Sequence, residues 1–129
     1  MPAGKLTILL VEDDTDILDE IAAFLRRRNY EVVTAPDFGS GFQALSDAGQ
    51  YPDVLVTDVH LPDGDGLDLL GHVNKRLPPP PRPRVIVMSG HLDAQKAGQA
   101  RRDGAETVLL KPFSLGTLLQ QLRDGTPPA

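Results

Sequence analysis

The feature that most constrains the fold is an alternation of two kinds of segment along the chain. Short runs rich in β-branched and other apolar residues predict strands at Leu6–Val11, Glu31–Thr34, Val54–Asp58, Val85–Met88 and Thr107–Leu110. Helical patterns fill the stretch after each of these runs. Five strands that alternate with five helices predict an α/β domain, whose parallel sheet is covered by helices on both faces.

The five helical patterns differ in strength. The first has Thr15 as its predicted N-cap and an apolar face made of Ile17, Leu18, Ile21, Phe24 and Leu25. The last has Ser114 as its predicted cap and an apolar face made of Leu115, Leu118, Leu119 and Leu122. Weaker patterns cover 38–48, 66–76 and 92–102. The 92–102 pattern is alanine-rich, so we expect this helix to be the least firmly packed.

Length and composition narrow the class of protein. The chain of 129 residues suits a single domain, with a core at about 6–124 and a tail at 126–129. It has no cysteine, which excludes disulfides and thiolate metal sites. No apolar run is long enough to span a bilayer or to act as a signal peptide, so we expect a soluble, cytoplasmic protein without a membrane partner. The net charge of -5 argues against direct nucleic-acid binding.

One low-complexity segment, the proline-rich stretch 77–84, lies between the third helical pattern and the fourth strand. It has the composition of a polyproline ligand. We favour a stiff connecting loop, because the segment occupies an obligatory connection between two elements.

Reactive side chains gather where the predicted strands end. Glu12 and Asp13 follow the first strand, and Asp58 ends the third. Ser89 follows the fourth strand and Lys111 the fifth. Ligands of an open parallel sheet bind in the crevice beyond the carboxyl ends of its strands. We therefore expect these side chains to form one site.

Such a site needs a cation. If the first and third strands are neighbours, the carboxylates of Glu12, Asp13 and Asp58 face one another, and like charges raise each other's pKa. Lys111 offers an ammonium group. Oxygen ligands without His or Cys also suit a hard divalent metal, and Mg²⁺ fits best because it keeps several waters. The backbone carbonyl of His60 is a further candidate metal ligand.

Four motifs in order along the chain resemble the receiver domain of two-component response regulators. They are Val11-Glu12-Asp13-Asp14, Asp58 followed by Leu61-Pro62 and Asp65-Gly66, Met88-Ser89-Gly90, and Lys111-Pro112-Phe113. The resemblance extends from about Leu6 to Leu122. It implies a doubly wound, flavodoxin-like sheet with strand order 2-1-3-4-5.

The resemblance also implies a role for each site residue. Asp58 would accept a phosphoryl group from a phosphohistidine of a sensor histidine kinase or a histidine phosphotransfer protein. Asp13 would bind Mg²⁺ directly, and Glu12 through water. Ser89 would hydrogen-bond one phosphoryl oxygen, and Lys111 would pair with another. The domain would thus be a signalling phosphoacceptor, and it would catalyse only its own phosphorylation and dephosphorylation.

Two positions depart from the pattern of many receivers. Three residues before the lysine, Val108 stands where many relatives have an aromatic ring that moves inward on activation. We therefore expect the signal to leave as a shift of the fourth helix, through a partner-binding face made of the fourth helix, fifth strand and fifth helix. His60, two residues after Asp58, either tunes phosphoryl lifetime or is an exposed side chain whose carbonyl alone matters.

Three other functions remain as alternatives. The domain could be the relay receiver of a hybrid kinase system, or a receiver that only binds partners. A small aspartate-nucleophile phosphatase is less consistent with the sequence, because that class has Asp-x-Asp on its first strand, whereas position 60 here is His. A calcium loop at 63–66 is rejected, because Leu67 and Asn74 occupy ligand positions. The cognate kinase and the completeness of the chain stay open.

Overall fold

The computed structural model describes residues 6–46, 52–75, 83–90 and 94–124. The strands within these residues are β1 (Thr7–Val11), β2 (Glu31–Ala35), β3 (Val54–Asp58), β4 (His60–Leu61), β5 (Gly64–Asp65), β6 (Arg84–Ser89) and β7 (Thr107–Leu110). The helices are α1 (Thr15–Arg26), α2 (Phe38–Ser46), α3 (Gly66–Asn74), α4 (Ala94–Arg102) and α5 (Leu115–Asp124). The ends of the predicted helices at 47–48, 76 and 92–93, most of the proline-rich segment, and the 126–129 tail lie outside the described residues.

The main sheet has five strands in the order β2-β1-β3-β6-β7, and every neighbouring pair is parallel. Counted along the chain without the two short strands, this is the predicted order 2-1-3-4-5. The predicted adjacency of the first and third strands is confirmed, since Val11 pairs with Thr57. The short strands β4 and β5 form a separate antiparallel ribbon directly after β3, which the sequence patterns did not predict.

Two apolar layers cover the sheet, one on each face. On one face, Leu9, Val11, Leu55, Val85 and Val87 pack with residues of α2, α3 and α4. On the other face, Ile8, Leu10, Val54, Val56, Ile86 and Met88 pack with residues of α1 and α5. Successive strand residues thus alternate between the two layers, as side chains of an extended strand must. The predicted two-faced α/β architecture is confirmed.

The two strongest helices begin at or beside their predicted caps. At α1 the prediction was wrong by one residue: Thr15 is the first helical residue, and Asp14 is the N-cap. The Asp14 carboxylate accepts hydrogen bonds from the backbone N–H groups of Asp16 at 3.1 Å and Ile17 at 3.2 Å. At α5 the Ser114 hydroxyl accepts one from the N–H of Thr117 at 3.1 Å. Both caps satisfy N–H groups that have no partner within the helix.

The helices are anchored to very different extents. Helix α1 buries Leu18, Ile21, Ala22 and Leu25, whereas α4 buries Ala97 and Ala100. The apolar area that α4 removes from water is therefore small, as the alanine-rich sequence predicted. Among the helices of the described residues, none has the length and apolar character needed to cross a membrane.

Candidate functional site

Three carboxylates meet at the carboxyl edge of the sheet. Glu12 directly follows β1 and Asp58 ends the adjacent β3, so the two side chains are neighbours. Oxygens of Glu12, Asp13 and Asp58 all lie within 4.8 Å of one another. Glu12 is 1% exposed and Asp58 6% exposed, whereas Asp13 is exposed. The structure therefore brings together the acids that the sequence pattern selected.

Lys111 is the cation that bridges the two buried acids. Its Nζ atom lies 2.6 Å from Oε1 of Glu12 and 2.7 Å from Oδ2 of Asp58. Its backbone N–H donates to the carbonyl of Ser89 at 2.8 Å, which fixes the end of β7 beside β6. Burial alone would lower the pKa of Lys111, but the hydrogen bonds to Asp58 and Glu12 outweigh it and raise this pKa. The lysine therefore stays protonated at neutral pH.

The surroundings of Glu12 raise its pKa above the ordinary value. Burial raises its pKa, and the hydrogen bonds from Lys111 and from the backbone N–H of Asp14 compensate only in part. The Asp14 N–H donates to Oε2 of Glu12 at 3.1 Å. The nearby charge of Asp58 raises the pKa of Glu12 further. Two buried acids thus share one lysine, and a further cation would relieve their repulsion.

Ser89 closes the site on the side of β6. It is the last residue of that strand rather than the residue after it, and it is 0% exposed. Its hydroxyl donates to the carbonyl of Gly90 at 3.1 Å. A Cβ atom added at Gly90 would have no heavy atom of the described residues within 4 Å.

The loop after Asp58 is fixed by backbone contacts. Val59 donates its N–H to the carbonyl of Met88 at 3.0 Å, and Gly66 donates to the carbonyl of Val59 at 2.7 Å. A Cβ atom on Gly66 would lie 1.9 Å from the backbone oxygen of Asp58, so only glycine fits. The exposed His60 donates its N–H toward Oδ1 of Asp58 at 3.4 Å, a long contact. A metal-binding role for the His60 carbonyl remains a prediction.

The acidic residues of the 63–66 segment serve neighbouring helices. Asp63 accepts hydrogen bonds from the N–H groups of Phe38 at 2.7 Å and Gly39 at 3.0 Å, at the start of α2. Asp65 is the N-cap of α3, where it accepts from the N–H of Leu67 at 2.9 Å. Asp65 also forms an ion pair with Lys96 of α4. Both carboxylates therefore have structural partners at the start of a neighbouring helix.

Val108, at the position where many receivers have an aromatic ring, lies beside a cavity. Val108 is 7% exposed and lines a cavity of about 250 Å³ between α4 and β7. The other lining residues are Ala94, Ala97, Arg101 and Leu110. Leu110 is 57% exposed, the most exposed of the large apolar side chains among the described residues. The structure thus leaves space beside Val108, on the face where the sequence predicted signal output.

Sequence reasoning missed Lys96. Its only signal was a lysine in an alanine-rich helix, and Lys96 and Asp65 are 31 residues apart. Local patterns do not show that these two charges meet.

The sequence of the chain matches a known family over most of its length. The model of the response regulator receiver domain family matches residues 8–123. The transcriptional regulatory protein KdpE of Mycobacterium tuberculosis is 36% identical over 117 residues, which are 90% of this chain and 49% of that protein. The DNA-binding transcriptional regulator NtrC of Azospirillum brasilense is 36% identical over 127 residues, 95% of this chain and 25% of that protein. The chain therefore spans half or less of the length of these relatives.

Solved structures agree with this match. A response regulator receiver domain protein from Clostridium thermocellum has a TM-score of 0.83 and 29% identity, with 92% of each chain covered. A CheY-like receiver domain protein from Methanospirillum hungatei also has a TM-score of 0.83, with 28% identity and coverage of 95% of this chain and 93% of that one. With the sheet order and the family match, these likenesses show that the chain belongs to the response regulator receiver domain family of two-component systems.

Proposed function

We propose that this domain accepts a phosphoryl group on Asp58 from a phosphohistidine of a sensor histidine kinase or a histidine phosphotransfer protein. The observation that carries the proposal is the position of Asp58 at the end of β3. There its carboxylate lies 2.7 Å from the Lys111 ammonium group and within 4.8 Å of two other acids. A carboxylate at the end of a strand and in contact with a cation is placed to act as the nucleophile of a phosphoryl transfer.

The transfer needs little covalent chemistry from the protein. A carboxylate oxygen of Asp58 attacks phosphorus, and the phosphorus–nitrogen bond to the donor imidazole breaks. The imidazole keeps the electron pair and takes a proton from solvent, and Asp58 becomes an acyl phosphate. Lys111 neutralises charge that develops on the phosphoryl oxygens, which is the main task of a phosphoryl-transfer site.

The acids of the site fit a bound Mg²⁺. Glu12, Asp13 and Asp58 offer oxygen ligands within 4.8 Å of one another, and we propose the carbonyl of His60 as a fourth. One lysine cannot balance three carboxylates, so a divalent cation complements the charge of the cluster. When bound, Mg²⁺ would neutralise charge on the transferred phosphoryl group.

The acyl phosphate would shift the domain through Ser89 and Lys111. Charge-assisted hydrogen bonds contribute about 1.5–3 kcal/mol each, so two supply about 3–6 kcal/mol. Reversal of a 1:99 equilibrium needs about 5.5 kcal/mol. The two bonds together therefore have the required magnitude, and neither has it alone.

We infer that the signal leaves through the face of α4, β7 and α5. Ser89 ends the strand that precedes α4, and α4 buries only alanines in the described part of the core. The space beside Val108, lined in part by Ala97, gives α4 room to move. A downstream protein partner would bind the shifted face.

Mass spectrometry of the intact protein tests the proposed acceptor. Incubation with acetyl phosphate and Mg²⁺ should add one phosphoryl group to the wild type and none to Asp58→Asn. The matched control is Asp68→Asn, an exposed acid on α3, which should be labelled like the wild type. Equal labelling of Asp58→Asn, with circular dichroism showing native helix content, would refute the assignment. Repeated hydrolysis of the donor without stable labelling would instead favour the phosphatase alternative.

A further inference from the structure

Helix α4 combines sparse apolar burial with polar contacts to the rest of the domain. Its buried residues are Ala97 and Ala100, and alanine side chains remove little apolar area from water. Two polar contacts connect it to the α3 side of the domain. Near its start, Lys96 forms an ion pair with Asp65. Just beyond its end, the side-chain amide of Asn74 donates to the carbonyl of Asp103 at 2.8 Å.

The first of these contacts connects α4 to the loop that carries Asp58. Asp65 pairs with His60 in the β4–β5 ribbon, and His60 is two residues after Asp58. The next residue, Gly66, donates its N–H to the carbonyl of Val59 at 2.7 Å. Asp65 is thus fixed to the acceptor loop from both sides, and Lys96 extends this connection to α4.

We propose that the Lys96–Asp65 ion pair is an electrostatic latch that holds α4 in its resting position. The Lys96 side chain is 37% exposed and that of Asp65 31%. A pair this exposed is weak and is screened by salt. It can therefore bias the position of a thinly anchored helix without locking it. The regulatory role of the latch rests on the proposed function, because phosphorylation of Asp58 is the change that would break the ion pair.

Two substitutions remove the charges of the pair with little change in side-chain size. Lys96→Met removes the ammonium group and keeps a long side chain with good helix propensity. Asp65→Asn removes the carboxylate charge, and asparagine remains a good N-cap for α3. The matched control is Lys75→Met, which removes an exposed lysine at the C-cap of α3.

Hydrogen–deuterium exchange of the unphosphorylated full chain tests the latch. An exposed ion pair of ordinary strength predicts about two- to fivefold faster exchange at 94–102 in Lys96→Met and in Asp65→Asn. The double variant should exchange no faster than either single one, and Lys75→Met should match the wild type. Added salt should speed α4 exchange in the wild type and leave the two variants unchanged.

Other results would overturn the latch. Unchanged α4 exchange in both single variants would mean that this ion pair does not hold the helix. Additive effects in the double variant would mean that Lys96 and Asp65 act through separate partners. No phosphoryl donor is present in this experiment, so its failure leaves the phosphoacceptor proposal intact. A failure of Asp58 labelling likewise leaves the exchange result interpretable.

Discussion

Two glutamates, one buried and one partly buried, contact a cation at opposite edges of the same sheet, and their surroundings shift their pKa values in opposite directions. Glu12 follows β1 at the carboxyl edge and contacts Lys111 at 2.6 Å. Glu106 precedes β7 at the amino edge and contacts Arg84 at 2.7 Å. The pKa of Glu12 is raised, whereas that of Glu106 is lowered.

The partners of Glu106 account for its lowered pKa. Arg84 approaches both carboxylate oxygens, at 2.7 and 2.8 Å, and the Gln121 amide donates to the same group at 2.6 Å. Burial would raise the pKa of Glu106, but these hydrogen bonds outweigh it. The other donors of Arg84 reach the carbonyls of Gln121 and Leu122, each at 3.0 Å. Arg84 and Glu106 thus have several partners each, and the end of α5 is fixed to the sheet.

Glu12 lacks such compensation, because a second buried acid, Asp58, shares its lysine. The difference teaches that burial of an ion pair does not by itself define its role. In a pair with matched charges and several hydrogen bonds, removal of one partner leaves the other uncompensated and destabilises the fold. A cluster with excess charge of one sign retains the capacity to bind a cation or to react.

The largest expected effect is at the amino edge. Arg84→Met leaves Glu106 buried without its cation and removes two donors from the end of α5. Removal of one partner of a buried ion pair typically costs about 3–5 kcal/mol. We expect the free energy of unfolding, measured in urea at pH 7, to fall by that amount. The control, Arg123→Met, removes an exposed arginine of α5 and should change stability by less than about 0.5 kcal/mol.

The same measurement on Lys111→Met sharpens the comparison. The side chain of Lys111 is 28% exposed and that of Arg84 12%, so water can replace more of the lost contacts and the loss of stability should be smaller than for Arg84→Met. An equal loss at both edges would contradict the distinction between them.

A medium effect is expected from Glu106→Gln, and it should depend on pH. The pKa of Glu106 lies below its ordinary value of 4.5 in the folded state, so its charge stabilises the fold above that pH. This contribution is lost as the pH falls through the lowered pKa. The wild type should therefore be more stable than Glu106→Gln by about 1–3 kcal/mol at pH 7, and the gap should close under acid conditions. A gap that stays constant from pH 7 to acid would show that packing, rather than charge, is lost in the variant.

The smallest effect is expected from Glu12→Gln without metal. The pKa of Glu12 is raised above 4.5, so its charge opposes folding at pH values above the folded pKa. A neutral amide avoids this repulsion and still accepts a hydrogen bond from Lys111. In EDTA at pH 7, we expect the free energy of unfolding of Glu12→Gln to differ from that of the wild type by less than about 1 kcal/mol, or to be higher. Destabilisation as large as that of Arg84→Met would place Glu12 in the same class as Glu106.

Much of the fold could be predicted from local patterns. The runs Val54–Asp58 and Thr107–Leu110 match β3 and β7, because each is a short apolar, β-branched run with a turn residue close by, Pro52 before the first and Pro112 after the second. The ribbon of β4 and β5 was not predicted, since two-residue strands show no alternation. The cap of α1 was displaced by one residue, because Asp14 and Thr15 are both good caps and only the backbone angles decide between them.

The candidate site was predictable for a topological reason. Glu12, Asp58 and Lys111 follow strands whose carboxyl ends share one edge, so the sequence specifies their meeting once the sheet is parallel. The partners of Arg84 and Lys96 were not predictable in this way. Arg84 and Glu106 are 22 residues apart, and no local sequence pattern shows which basic residue will pair with which acidic residue.

The contact between Gly66 and the backbone of Asp58 has a consequence for evolution. A Cβ atom at this glycine would lie 1.9 Å from the Asp58 carbonyl oxygen, so alanine would be excluded as firmly as any larger or charged residue. Selection at this position therefore acts on side-chain volume and does not depend on side-chain polarity. Neighbouring positions can drift among chemically similar amino acids, but here no intermediate sequence exists. A lineage that loses this glycine must remodel the loop after Asp58 in the same step or displace the backbone of Asp58.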